Sequence, residues 1–254
     1  GDGGSGAASG GLLASRVKAT LVHYPASRGP VSGDGAVGEA AGADAPHAEE
    51  VYDPMFMLPL LNHLLTTSEV PVRTFTASGA LTLAVASLSS AVKSVRQLAY
   101  AAVAQYLELL AGDAEGFRER PQVELVLRVV QASVPAPFAR LPALVCLFVA
   151  EALDVALKPT HAHYQVINSF LLKKPTLDLN DVPLFYTMFN HGGQHHRARR
   201  SWLLNYLGDG VQGVADHHAL ARRHVYGILM TYASSCVADT TTRLAVLRVR
   251  YHHL

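Results

Sequence analysis

The chain has 254 residues, half of them hydrophobic, two cysteines, and 21 Lys/Arg against 20 Asp/Glu for a net charge of +1. That length can bury a sizeable core, and two cysteines cannot build the disulfide framework of a small secreted domain. The most apolar run, residues 141–157, carries Glu151 and Asp154 and is shorter than the ~20 residues a membrane-spanning helix needs, so it reads as a central, mostly buried helix.

Residues 1–48 hold 11 Gly and 11 Ala, with few large apolar side chains beyond Leu12, Leu13, Leu21 and Tyr24. So little burial cannot offset the entropy of ordering, and the stretch is expected to be a disordered linker. Residues 51–254 are expected to form one helical-repeat domain. The chain begins with Gly and ends on Tyr251-His252-His253-Leu254, which reads as a fragment of something longer.

Asp53-Pro54 opens a helix to about Leu65, with Phe56, Leu60, Leu61 and Leu64 on one face. Residues 74–90 form a second segment, diluted by Thr, Ser and Gly79. Residues 94–110 are a strong helix stopped by Gly112-Asp113, and Arg120-Pro121 starts another through Val130. After residues 141–157, Pro159 breaks the chain, because proline lacks the amide N–H a helix needs. Ile167, Phe170 and Leu171 then mark one face of a helix over 161–172. Pro175 closes it, and Asn180 or Asp181 is placed to cap a helix over 183–190. Further helices follow over 198–207, 216–232 and 239–251, the last opened by Asp239. About ten helices on short connectors, with no alternating strand pattern, predict an all-α fold: an irregular HEAT/armadillo-like solenoid. Both Cys146 and Cys236 fall in apolar helical patterns and are expected to be buried free thiols.

Catalytic motifs are missing. Gly208, Gly210 and Gly213 match GxGxxG formally, but a helix precedes them where a dinucleotide site needs a strand, so they read as a helix–helix turn. There is no phosphate-binding loop, HExxH or GxSxG. The histidines His161/His163, His191/His195/His196 and His217/His218 have no Cys or carboxylate at zinc-site spacing, so solvated or partner-facing roles are expected, with no metal and no cofactor. The chain reads as a non-enzyme with no small-molecule substrate.

Charge is distributed unevenly. Residues 1–119 carry 7 Lys/Arg against 12 Asp/Glu, and residues 120–254 carry 14 against 8, with ten of 13 histidines from His161 onward. Two basic runs stand out: Arg197, Arg199 and Arg200 before Trp202, and Arg222, Arg223 and His224 before Tyr226. Arginine forks match phosphate oxygens, so these six residues are candidate RNA ligands. The turn Asp178, Asn180, Asp181 is a candidate partner-binding or positioning element. Trp202 and Tyr226 are expected to anchor their helices in the core.

Five segments together, YDPMFMLPLL (52–61), FRERPQVELVLRVVQ (117–131), LKPTHAHYQVINSFLLKKPTLDLNDVPLFYTMFN (157–190), SWLLNYLGDGV (201–211) and RRHVYGILMTYASS (222–235), resemble the C-terminal domain of the nucleolar pre-ribosomal-associated protein 1 family. The resemblance runs over about 51–249 and departs from the family's pattern at HGGQHHRARR (191–200) and Gly227. It implies a nucleolar helical-repeat scaffold without enzymatic activity of its own. Such a scaffold contacts pre-ribosomal RNA and assembly factors of the early large subunit. Docking of other proteins, without direct RNA contact, is the alternative role.

Overall fold

The structure, a computed structural model, describes residues 12–29, 50–113, 116–190, 192–193 and 195–251, the side chains of 250 and 251 excepted. Among these residues it is all helical. The helices are α1 (Ala14–Val22), α2 (Pro54–Thr67), α3 (Val72–Ala77), α4 (Ala80–Ala86), α5 (Lys93–Gly112), α6 (Arg120–Ser133) and α7 (Ala143–Ala156). They continue with α8 (Tyr164–Lys173), α9 (Phe185–Phe189), α10 (His196–Gly210), α11 (Val214–Arg222), α12 (Val225–Ala233) and α13 (Thr240–Tyr251).

The apolar run becomes α7, and it is central as expected. It packs against α1, α3, α4, α6, α8 and α10. Its first turn has no side-chain cap of its own. Instead Asp216 of α11 accepts the Leu144 N–H at 2.9 Å, and the Tyr206 hydroxyl of α10 donates to the Leu144 carbonyl at 3.0 Å. Asp216 also accepts the Gln212 N–H at 3.3 Å and is 2% exposed. Burial pushes its carboxyl above the usual aspartate range, and the N–H bonds from Leu144, Gln212 and Gly213 pull the other way.

Several sequence expectations need correction. Within 1–48, expected to be disordered, α1 is formed and packs on α4 and α7, burying Val17, Thr20 and Tyr24. The Tyr52 N–H donates to the Thr20 hydroxyl at 2.8 Å, and the Gln212 side chain donates to the Val22 carbonyl at 2.9 Å. Averaging composition over 48 residues hid this short amphipathic stretch; residues 1–11 and 30–49 lie outside the described residues. The buried face of α2 is Met57, Leu58, Leu61 and Leu65, whereas Phe56 is 69% exposed and Leu60 is also exposed.

The segment over 74–90 splits into α3 and α4 at Gly79, whose φ of +84° is the left-handed region glycine favours. A Cβ there would sit 2.9 Å from Val17 Cγ1, so this glycine also lets α1 approach. The segment over 216–232 splits into α11 and α12 at Arg223-His224, where His224 takes φ +55°. Cys146 is buried, but Cys236 is exposed because it falls in the turn between α12 and α13. Of the glycine cluster read as a helix–helix turn, Gly208 and Gly210 lie inside the last turn of α10, and only residues 211–213 join α10 to α11. A Cβ on Gly210 would meet Leu144 Cδ1 at 2.8 Å, so its small size sets how closely α10 crosses α7.

Candidate nucleic-acid interface

The five-residue helix α9 organises this region. Neither Asn180 nor Asp181 caps it. Asp178 accepts the Asn180 N–H at 2.9 Å and Asp181 accepts the Val182 N–H at 2.8 Å, which closes a turn upstream of Pro183. Leu184, at φ +62°, then leads into α9. The residue before a proline is biased to extended backbone, which separates the Asp/Asn turn from the helix it was expected to cap.

Both basic runs are anchored on α9, about one helical turn apart. The Tyr186 hydroxyl donates to the Arg223 carbonyl at 2.8 Å. At the other end, Arg200 donates to the Phe189 carbonyl at 3.3 Å and to the Tyr232 hydroxyl. Its guanidinium lies 4.4 Å over the Tyr232 ring and 5.4 Å over the Phe189 ring. Arg200 is thus a packing element joining α9, α10 and α12.

Arg223 is also committed internally. It forms ion pairs with Asp181 at 2.8 Å and Asp178 at 3.4 Å. The acidic turn and the second basic run therefore meet, but as a pair within the chain. Both partners are partly exposed, so the contact contributes little stability, roughly 0–1 kcal/mol. Its effect is to fix where the 222–224 segment sits.

Arg197, Arg222 and His224 are exposed, and Arg199 is half-buried. Arg197 and Arg200 act on Asp239, whose carboxyl is held below the usual range chiefly by the Thr242 N–H and hydroxyl, with the two arginines adding to that. The Asp239 Oδ1 accepts the Thr242 N–H at 2.7 Å, the helix start expected from sequence.

Sequence reasoning missed His163. Expected to be solvated or partner-facing, it is 5% exposed and packs between His161 and Trp202. Burial, His161 and Arg199 push its pKa below the usual histidine value. Trp202 is half-buried and stacks on Tyr206 at 5.5 Å and 10° between planes, as a core anchor should. Tyr226 is half-buried, with its hydroxyl 2.6 Å from His217 Nδ1. Among the described residues no group of three or more His, Cys, Asp or Glu is placed to hold a metal, and no helix is long and apolar enough to cross a membrane.

The model of a family described as nucleolar pre-ribosomal-associated protein 1 matches residues 81–253. A Mus musculus protein of that name is 34% identical over 203 residues, covering 79% of this chain and 9% of its own length. A Homo sapiens protein of the same name is 29% identical over 238 residues, covering 92% of this chain and 10% of its own. No solved structure matches. The chain spans about a tenth of the length of these relatives. The family match covers the whole run from α4 into the last helix, including α9 and both arginine runs anchored on it. On that match, the chain belongs to the nucleolar pre-ribosomal-associated protein 1 family.

Proposed function

We propose that this chain is a scaffold segment that acts in the nucleolus, in early large-subunit ribosome assembly, by holding pre-ribosomal RNA against assembly factors. The relatives are named as nucleolar and pre-ribosomal-associated, which supports the compartment and the process. The observation that carries RNA contact is the exposed Arg197 and Arg222, each beside an arginine locked onto α9. Arg200 and Arg223 position the two runs, while Arg197, Arg222 and His224, with the half-buried Arg199, face the phosphates. No catalysis is assigned to it. The irregular solenoid belongs to the same proposal. Consecutive helices pack in pairs such as α5–α6, α6–α7 and α11–α12, and closure of α1 onto α7 makes this stretch more compact than a one-dimensional stack.

The test is RNA affinity across a salt series for the parent and for the Arg197→Ala/Arg222→Ala double variant. Each phosphate contact on single-stranded RNA contributes a slope of about 0.7 in log K against log salt. The double variant should therefore lose about 1.4 of that slope and bind more weakly, with its melting temperature unchanged. An unaltered slope would sink the assignment.

A second reading, docking of assembly proteins without RNA contact, is favoured by a groove of about 710 Å³ between α5 and α6. Tyr100, Leu107, Val130 and Phe138 line it, and none of its lining residues is charged. Binding there would be insensitive to salt.

A further inference from the structure

The ring contacts around His163 extend in both directions. From the core outward, Phe148 meets Tyr206 at 6.3 Å, Tyr206 stacks on Trp202 at 5.5 Å, Trp202 meets His163 at 5.2 Å, and His163 meets His161 at 5.2 Å. The first and fourth rings are buried and the last is only half-buried. This is a ladder of five aromatic rings that starts in the core and ends at the surface. Each inner ring has neighbours on two sides. His161, the outermost, has a ring contact only from His163 among the described residues.

His161 is also held still. Its Nδ1 accepts the His163 backbone N–H at 3.2 Å, which leaves the ring proton on Nε2 in the neutral form. Trp202 is fixed from the other side by its stack on Tyr206. A rigid aromatic platform needs no ordering when a flat ligand lands on it. The cation beside it comes from α10, where Arg199 lies close enough to act on His163. Two buried polar atoms in this cluster, His163 Nδ1 and Arg199 Nε, have no hydrogen-bond partner.

A planar ring carried on a chain of negative charges fits both parts, and an unpaired nucleotide has that chemistry. We propose that His161 is a stacking platform for an unpaired RNA base, with Arg199 taking the adjoining phosphate. This deepens the RNA reading above and rests on it. Duplex RNA keeps its bases stacked on one another and offers no free face, so the site selects single strands.

Trp202 is the sole tryptophan of the chain and sits two rungs from the platform, so its emission reports on the ladder. The test titrates the full chain with an unlabelled single-stranded adenosine decamer, reading Trp202 fluorescence. Anisotropy of the fluorescein-labelled decamer, and of a duplex of equal length, is read in parallel. Single-stranded RNA should change Trp202 emission with the same midpoint as the anisotropy, and the duplex should not. Base–aromatic stacking predicts that His161→Ala binds the decamer roughly 5- to 100-fold more weakly, while His161→Phe, which keeps a ring, binds it like the parent. Unchanged affinity in His161→Ala, weakened affinity in His161→Phe, a silent Trp202, or equal binding of the duplex would each overturn the platform. Each would leave the arginine contacts standing. No anisotropy change with any RNA at low salt would overturn both.

Discussion

Removing the Asp216 carboxylate should unlatch the first turn of the central helix. In Asp216→Ala the Leu144 N–H loses a 2.9 Å charge-assisted bond and the Gln212 N–H loses a longer one of 3.3 Å, at a site where the side chain is 2% exposed. Loss of an N-terminal cap costs about 0.5–2 kcal/mol, and an orphaned buried donor about 1–3 kcal/mol. These two figures describe the same Leu144 bond and are not summed. Burial already holds the carboxyl above its usual range, so deleting it also removes a desolvation penalty. The net loss should be about 1–2 kcal/mol. For a chain of this size each kcal/mol moves the melting temperature by about 2–4 °C, so calorimetry at pH 7 should show a fall of about 2–8 °C. Asp216→Asn can still accept the Leu144 N–H and should fall by less than half as much. An Asp216→Ala melt within about 1 °C of the parent would refute the long-range cap.

Two further perturbations follow from the packing. Gly79→Ala should destabilise by about 1–3 kcal/mol, because a Cβ would press on Val17 at 2.9 Å and the backbone sits at φ +84°; limited proteolysis should then cut near α1 first. The His163 pKa is depressed below 6.5 by burial, His161 and Arg199. Its contribution to stability is therefore full above about pH 6.5 and is lost as pH falls through the lowered folded value. His163→Phe should flatten the melting temperature between pH 7.5 and 5.5 relative to the parent, and an equal acid-side loss in both proteins would count against that assignment.

Helix positions were legible where punctuation is chemical. Asp53-Pro54 starts α2 with the Met55 N–H donated to Asp53 at 2.9 Å, and Gly112-Asp113 ends α5. The breaks that escaped notice are at Gly79 and His224, left-handed residues inside runs that look continuously helical. The buried face of α2 was misjudged because leucines occur around most of that helix, so periodicity cannot choose among them. Of the six basic residues, sequence could not separate ligands from struts. Arg223 is spent on Asp178 and Asp181, more than forty positions upstream, and Arg200 on two aromatic rings of other helices. Such pairings depend on which helices become neighbours, and charge patterning along the chain does not contain that.

The border of the family-model match is not a border of the fold. Sequence likeness to the family model begins at residue 81, one position inside α4, all seven residues of which are buried. A chain cut at that border would bare the faces of α4, α5 and α7 that α1, α2 and α3 cover. It would also leave the Gln212 amide without the Val22 carbonyl it holds at 2.9 Å. The cooperative unit thus reaches upstream to about residue 12. A fragment trimmed to the residues that the family model matches would expose a broad apolar wound and be driven to aggregate.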